Sequence, residues 1–238
     1  MFEILKLKNL SKSFGAVTVT DQLNCSLKNG EALGIIGPNG AGKTSMFNLI
    51  TGTLKPDSGQ IFFAGEDITH SNAAKRSRSG IARSFQVPQP FSGLSVFENA
   101  MVAATQSAGL YGKKAEQYCL SILNQTELLP KANILAGSLT LLELKRLELT
   151  RALCTRPKLL LLDEIAGGLT DDECTSLVNT IKNIHKSGVS IIWIEHVVQA
   201  VLAVVDRLMV INFGKKIAEG NPESIIKSRE VQEIYLGI

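Results

Sequence analysis

The chain has 238 residues, 45% of them hydrophobic, and a formal net charge of +3. This size and composition fit one large domain with a sizeable core, and the mild charge argues against a nucleic-acid partner. The cysteines, at positions 25, 119, 154 and 174, have no C-x-x-C spacing, so neither a disulfide framework nor a zinc site is expected. No apolar run could span a bilayer and no secretory signal pattern is present, which predicts a soluble cytosolic protein.

The pattern of apolar residues predicts an α/β core interrupted by helices. Strands are predicted at residues 2–7, 23–27, 32–36, 60–63, 81–85, 158–162, 189–194, 207–211 and 216–218. Between them, residues 87–90 read Val-Pro-Gln-Pro, which excludes a central strand, and a helical pattern runs from 95 to 153 with a break at Gly109 and Gly112. We expect a single domain with its core at 1–86 and 157–238 and an inserted helical subdomain at 87–156.

The run from residue 37 to residue 44 matches the phosphate-binding loop pattern G-x-x-x-x-G-K-[ST] in full. Its glycines let backbone N–H groups cradle phosphate oxygens, Lys43 can reach the β- and γ-phosphates, and the Thr44 hydroxyl can bind Mg²⁺. A predicted strand precedes the loop and a helix starting near Lys43 follows it, which is the context that the motif requires. The candidate nucleotide-binding residues are Gly37, Pro38, Asn39, Gly40, Ala41, Gly42, Lys43, Thr44 and Ser45.

A second motif places two carboxylates after four consecutive leucines at 159–162. The continuous apolar run is typical of a parallel strand covered on both faces, and ligands of open α/β sheets bind at the carboxyl ends of such strands. Asp163 is therefore placed to hold Mg²⁺ through water, and Glu164 to orient and activate an attacking water. The alternative, an acidic surface turn, is disfavoured because adjacent carboxylates next to buried leucines require a cation or solvent.

A small basic cluster consists of Lys75, Arg76, Arg78 and Arg83. The favoured interpretation is a solvated surface face, and the alternative is a patch that faces acidic groups.

With both motifs in place, the chain resembles the ATP-binding subunits of ABC transporters over essentially its whole length. The resemblance implies an α/β fold with a P-loop nucleotide-binding core, in which a mixed sheet is joined by an antiparallel β part. It also implies ATP and Mg²⁺ as cofactors, a second ATPase subunit and transmembrane permease subunits as partners, and a location at the inner face of the cell membrane.

The resemblance gives roles to further residues. Phe14, in Lys-Ser-Phe-Gly, matches the aromatic residue that stacks on adenine, and Gln86 matches the glutamine that contacts Mg²⁺ and the attacking water and senses the membrane subunit. Residues 167–170 match the D-loop that crosses the dimer interface, and His196 matches the switch histidine that contacts the γ-phosphate. Read without the family, these residues would be a core or edge phenylalanine, a surface glutamine and a structural histidine.

A narrower similarity is to the ATPases of branched-chain amino acid importers. It rests on residues 37–52, 54–59, 80–86, 90–91 and 212–220, and on the ending 233–237. These signals identify a relative rather than a mechanism, because the ATPase subunit need not touch the transported solute.

The chain departs from the family at the signature Leu-Ser-Gly-Gly-Gln, which in the family touches the γ-phosphate bound by the partner. The matching stretch is Leu139, Thr140, Leu141, Leu142 and Glu143. Leucines replace the glycines that allow backbone to approach phosphate, and Glu143 adds negative charge near an anion. The same residues also form a capping box with Thr140 as N-cap, so they can simply start a helix.

Two smaller departures follow the carboxylates. Ile165 stands where the family often has proline, and Thr170 stands where the D-loop often has Asp or Asn. Thr170 and Glu173 again form a capping box, which puts the D-loop contact with the partner in question. Because the signature is unusual beside intact phosphate-binding residues, a heterodimer with a sister ATPase is favoured over a homodimer.

The sequence therefore predicts an ATP-hydrolysing subunit that energises an ABC importer for branched-chain amino acids or a related small solute. Catalytic roles are expected for Lys43, Gln86, Glu164 and His196, and Mg²⁺ binding for Thr44, Gln86 and Asp163. The alternatives are a soluble ABC ATPase without a transport role and a nucleotide-binding regulatory subunit with weak turnover. A GTPase is disfavoured because no N-K-x-D motif is present.

Overall fold

The computed structural model describes residues 2–236, and the side chains of Tyr235 and Leu236 are outside that description. The strands are β1 (Glu3–Phe14), β2 (Val17–Lys28), β3 (Ala32–Ile36), β4 (Ser58–Phe63), β5 (Glu66–Asp67), β6 (Ile81–Arg83), β7 (Leu159–Asp163), β8 (Ser190–Ile194), β9 (Arg207–Asn212) and β10 (Lys215–Gly220). The helices are α1 (Lys43–Thr51), α2 (Ala73–Ser79), α3 (Val96–Gln106), α4 (Gly112–Gln125), α5 (Leu141–Cys154), α6 (Asp171–Lys186), α7 (Val198–Leu202), α8 (Pro222–Ile226) and α9 (Arg229–Leu236). Of residues 233–237, on which part of the similarity to the importer ATPases rests, Gly237 lies outside the described residues.

Two sheets form the core. Strands β2, β1, β4 and β5 make an antiparallel sheet in that order. The second sheet has the order β10-β9-β3-β8-β7-β6, in which β10 is antiparallel to β9 and the other neighbours are parallel. The expected α/β core with a mixed sheet and an antiparallel part is confirmed.

The central strands β3, β7 and β8 are buried along their whole length, because both faces of the mixed sheet are covered. Residues alternate between the two sides. Leu161 of β7 packs with α1 and the antiparallel sheet, whereas Leu160 and Leu162 pack in the cluster that includes α6 and α7. This arrangement explains why a continuous run of leucines, rather than an alternating pattern, encodes β7.

The parallel strands bring distant residues to one edge of the sheet. The phosphate-binding loop follows β3, His196 follows β8, Glu164 follows β7, and Gln86 follows β6. Since these four strands are neighbours in the order β3-β8-β7-β6, their carboxyl ends lie side by side.

Helices α3, α4 and α5 pack on one another and enclose a cluster of their own that includes Val96, Leu123 and Leu147. A buried hydrogen bond of 2.7 Å joins the Thr126 and Thr150 hydroxyls between α4 and α5. Helix α5, which begins at the signature stretch, also packs on α6 and β6 and so ties these helices to the core.

Strands β1 and β2 and helix α2 differ from the sequence prediction. Strands β1 and β2 are 12 residues each, more than twice the predicted length of β2, and they pair with several register shifts. Asn9 and Gln22 have positive φ values of 47° and 46° at these irregularities, which break the period-two alternation. Helix α2 was missed because its sequence, Ala-Ala-Lys-Arg-Ser-Arg-Ser, has almost no apolar residues.

The interpretation of the basic cluster as a solvated face is wrong for two of its members. Lys75 and Arg78 are exposed, but Arg76 is only 1% exposed and Arg83 is largely buried beside Asp163. The Arg76 guanidinium donates to the carbonyls of Ser71, Leu49, Ile50 and Thr69 at 2.6 to 2.9 Å. It thus adds a charged donor to the carbonyls at the end of α1, where the Leu49 carbonyl also accepts from the Gly52 N–H at 3.3 Å.

Replacing Arg76 with methionine is expected to lower the free energy of unfolding by about 3 kcal/mol, because several buried carbonyls lose a charged donor. Urea denaturation followed by circular dichroism measures this loss. The matched control is Arg78→Met on the same helix, which is exposed and should change stability by less than about 0.5 kcal/mol. Equal effects of the two substitutions would contradict this role of Arg76.

Candidate active site

The loop between β3 and α1 has the backbone of a phosphate cradle. Gly40 and Gly42 have φ values of 80° and 102°, and a Cβ atom at Gly42 would lie 2.1 Å from the Val19 carbonyl oxygen. Only glycine fits this position without moving the loop. The loop, together with Val19 and Glu164, lines a cavity of about 220 Å³ at the N-terminus of α1. Backbone N–H groups at that helix end favour an anion.

Lys43 is the first residue of α1 and is 5% exposed. Its ammonium donates to the carbonyls of Gly37 at 2.7 Å and Pro38 at 3.0 Å, so it folds over the loop that it belongs to. Burial lowers the pKa of Lys43, and the carboxylates of Glu164 and Asp163 oppose that shift. The cation is therefore held beside the cavity with its charge only partly compensated.

Three of the predicted residues meet at Glu164. Its carboxylate accepts a hydrogen bond from the Gln86 amide at 2.6 Å and lies 3.0 Å from Nε2 of His196. Glu164 itself has a positive φ of 47°, and its backbone N–H donates to Ile194 of β8. A non-glycine residue in this conformation is strained, and such strain clusters at functional sites. Side chains from three adjacent strand ends thus form one hydrogen-bonded chain beside the phosphate loop.

Asp163 is buried and forms an ion pair of 2.5 Å with Arg83. The same guanidinium donates to the Asn48 side chain of α1 at 2.6 Å and lies over the rings of Phe47 and Phe85. Sequence reasoning missed Arg83 because it counted the residue among surface charges. Its position after the apolar Ile-Ala of β6, one strand away from Asp163, was the available signal.

The oxygen donors at this site suit magnesium. Mg²⁺ is held by one or two carboxylates together with waters and phosphate oxygens rather than by a cage of protein ligands. Asp163 and the exposed hydroxyl of Thr44 are such donors, and the Gln86 side chain adds an amide oxygen. Among residues 2–236, no cluster of three or more His, Cys, Asp or Glu side chains could hold a metal by itself.

Glu195, which sequence reasoning did not select, joins two loops of the site. It is 2% exposed, and its carboxylate accepts hydrogen bonds from the backbone N–H groups of Ala166, His196 and Val197 at 2.6, 2.9 and 3.4 Å. The pKa of the Glu195 carboxyl group is raised, mainly because the group is buried. A carboxylate at the end of an apolar strand, next to His196, was the signal in the sequence.

The signature stretch forms the start of α5. The Thr140 side chain caps the helix, and the Glu143 carboxylate accepts from the Thr140 N–H at 2.9 Å and pairs with Lys131. This pairing offsets the negative charge expected to face a partner's nucleotide. Leu141 is 42% exposed, and a Cβ atom added at Gly168 would lie 3.3 Å from its side chain, so the signature and the D-loop lie next to each other within the chain.

Two predicted residues stand apart from this cluster. Thr170 caps α6 in a capping box with Glu173, as its sequence indicates. Phe14 is 54% exposed at the end of β1 and lies 5.4 Å beneath the Lys12 ammonium, and it does not line the cavity of the phosphate loop. Val19 of β2, which was not selected, does line it.

Residues 20–167 match the ABC transporter family model, so the chain belongs to the ABC transporter ATP-binding family, and it is an ATPase subunit coupled to transport. It is 34% identical over 250 residues to the probable branched-chain amino acid transport ATP-binding protein LivG of Archaeoglobus fulgidus, covering 99% of this chain and 96% of the relative. It is also 34% identical over 251 residues to the high-affinity branched-chain amino acid transport ATP-binding protein BraF of Pseudomonas aeruginosa, covering 98% of both chains.

Solved structures agree with this family. A nucleotide-free ATP-binding cassette from an ABC transporter superposes with a TM-score of 0.90 at 31% identity, and an ATP-binding cassette of an ABC transporter in its ADP conformation superposes with a TM-score of 0.91 at 31% identity. Both comparisons cover 100% of each chain. Within residues 2–236, none of the helices has the length and apolar character needed to cross a bilayer.

Replacing Gly42 with alanine is expected to weaken nucleotide binding at least about tenfold, equivalent to about 1.4 kcal/mol, because the added methyl group must displace the loop from Val19. Titration with a fluorescent ATP analogue measures the affinity. The control is Gly65→Ala in the turn between β4 and β5, where φ is 85° but no atom lies within 4 Å. That variant carries only the backbone strain of about 1 kcal/mol and should bind nucleotide normally.

Proposed function

We propose that this chain hydrolyses ATP to energise an importer for branched-chain amino acids or a chemically related small solute. The solute class is carried over from the names of the relatives, which are branched-chain amino acid transport ATP-binding proteins. The observation that supports the hydrolytic role best is the chain Gln86–Glu164–His196 beside the phosphate loop, with distances of 2.6 and 3.0 Å.

In the proposed mechanism, water attacks the γ-phosphate in line with the leaving group. The loop N–H groups and Lys43 stabilise the phosphate charge, and the Glu164 carboxylate accepts a hydrogen bond from the water and polarises it. Gln86 and His196 hold that carboxylate from both sides and orient it towards the cavity. His196 is also placed to donate to a γ-phosphate oxygen once the site is closed.

Thr44, Gln86 and Asp163 are the residues that would hold Mg²⁺, which neutralises developing charge on the phosphates when it is bound. The Arg83 guanidinium pairs with Asp163. We infer that this guanidinium compensates the charge of the buried carboxylate.

We further propose that a transmembrane permease docks where the Gln86 segment meets the inserted helical subdomain, for which we retain the boundaries 87–156. A groove of about 280 Å³ lies there between α2, β6, α3 and α5. Phe85, Val87 and Phe91 are exposed along the adjoining segment, at 51%, 66% and 48%. Such an apolar patch is typical of a protein–protein contact, and it favours a permease-bound subunit at the inner face of the cell membrane over a free soluble ATPase.

A heterodimer is proposed for the closed state. Leu141 is exposed at the place where a partner's nucleotide would approach the signature, and Leu142 packs partly buried against the core of its own chain, whereas the phosphate loop of this chain retains its glycines. One composite site would then combine this loop with the signature of a sister ATPase. The other would use residues 139–143 and turn over slowly.

Replacing Glu164 with glutamine is expected to lower the rate of phosphate release roughly a thousandfold, because the amide cannot polarise the water. ATP affinity should be retained, since the loop is unchanged. The rate and solute uptake are measured on the permease complex reconstituted in vesicles. Glu116→Gln on α4, an exposed position, is the control and should be fully active. A residual rate within about tenfold of the wild type would remove Glu164 from this role.

The Glu164→Gln variant of this chain alone is expected to remain monomeric with ATP, because its own signature closes a partner's site poorly. Light scattering during size-exclusion chromatography measures the mass. Adding Leu141→Gly and Leu142→Gly should allow a nucleotide-dependent dimer, despite a helix cost of about 1 kcal/mol per glycine and the loss of the packing of Leu142 against the core. A stable symmetric dimer of the chain with its leucines intact would contradict the heterodimer.

A further inference from the structure

Lys145 is a buried cation that the proposed mechanism does not use. It lies in the second turn of α5, the helix that begins at the signature stretch, and is 3% exposed. Its ammonium donates a hydrogen bond of 2.5 Å to the backbone carbonyl of Gln86. This contact joins the helix that faces a partner ATPase to the segment that carries the Gln86 side chain.

The segment around Gln86 has little other support. Ser84 is held by the Leu161 carbonyl and Gln89 by the Glu148 carboxylate. In the part of the chain that the structure describes, the Gln86 carbonyl is the one main-chain group of residues 85–88 with a hydrogen bond. The Gln86 side chain is exposed, so its reach to Glu164 depends on where Lys145 holds the backbone.

The surroundings of Lys145 are acidic, yet none of the carboxylates in residues 2–236 pairs with it within 4 Å. Burial lowers the pKa of Lys145, and the carboxylates of Glu195, Glu164 and Glu148 oppose that shift. Glu148 already pairs with Arg151, and Glu195 is bound by three backbone N–H groups. The ammonium therefore supplies positive charge to a region where the carboxylates of Glu164 and Glu195 carry the negative charge.

Such an arrangement is unfavourable for stability. A buried ammonium bound to a neutral carbonyl loses more hydration than one hydrogen bond returns, and replacing buried charges with apolar groups of similar volume is often neutral or stabilising. Arg151, on the same helix, shows the contrasting case. It donates to the Gln89 carbonyl at 2.8 Å and has a carboxylate partner of its own in Glu148.

We propose that Lys145 is a positioning residue for ATP hydrolysis: it fixes the Gln86 segment relative to Glu164 and transmits movement of the signature helix to it. When a partner's nucleotide shifts the start of α5, the ammonium moves the Gln86 carbonyl and, with it, the amide that orients Glu164. This inference rests on the proposed roles of Gln86 and Glu164.

The test compares Lys145→Met, Lys145→Arg and the wild type in the reconstituted permease complex. For Lys145→Met we expect kcat to fall about ten- to a hundredfold while KM for ATP stays unchanged, because the loss concerns orientation rather than nucleotide binding. Lys145→Arg keeps a buried donor and should restore kcat to within about threefold of the wild type. The melting temperature of Lys145→Met should be equal to or higher than that of the wild type.

Combining Lys145→Met with Gln86→Ala distinguishes an effect of Lys145 that acts through Gln86 from a general defect of the enzyme. If Lys145 acts through Gln86, Lys145→Met should reduce kcat little further in the Gln86→Ala background. Lys113→Met, at an exposed position on α4, is the control for removing a lysine from the helical subdomain.

Unchanged kcat in Lys145→Met, or a fall in kcat that parallels a fall in melting temperature, would overturn the proposal. An additive effect with Gln86→Ala would also overturn it. Absence of phosphate release from the wild-type complex would instead be a failure of the proposed function itself, so the two failures are distinguishable.

Discussion

The burial of β3, β8, β7 and β6 as parallel neighbours in the mixed sheet is the constraint on which the site depends. Parallel strands that are covered on both faces have their carboxyl ends at the same edge of the sheet. Each strand can place one polar residue at that edge before the chain turns back over the sheet. Here those residues are the phosphate loop, Glu164, His196 and Gln86. The hydrogen bonds that join Gln86 and His196 to Glu164, of 2.6 and 3.0 Å, follow from strand adjacency, although the bonded residues are 78 and 32 positions apart in sequence.

A second consequence is that the charged side chains of the site lie in a region that is bounded by apolar residues. Asp163 is compensated by Arg83, Glu195 by three backbone N–H groups, and Glu148 by Arg151. Lys43 and Lys145 are the buried cations near the cavity whose compensation is incomplete. Buried groups of this kind are costly to the fold, and they lie where phosphate charge and the attacking water are expected.

The contacts of α5 connect that region with the outer parts of the molecule. The helix begins at the signature stretch, lies next to the D-loop at Leu141 and Gly168, and reaches the Gln86 segment through Lys145. On its other side, Arg151 holds Gln89 next to the apolar groove. The proposed partner ATPase and the proposed permease would thus act on the same helix.

The sequence by itself determined the α/β class, the phosphate loop, the two carboxylates after β7 and the helix caps at Thr140 and Thr170, because each is encoded by neighbouring residues. It did not show the length of β1 and β2, where positive φ values at Asn9 and Gln22 disrupt the alternation. Nor did it show that Arg76 and Arg83 are buried, that Glu195 joins two loops of the site, or that Lys145 reaches the Gln86 carbonyl. Those placements were decided by tertiary structure, since each of these charged groups has at least one partner on a distant element, and only strand order and helix packing bring the two together.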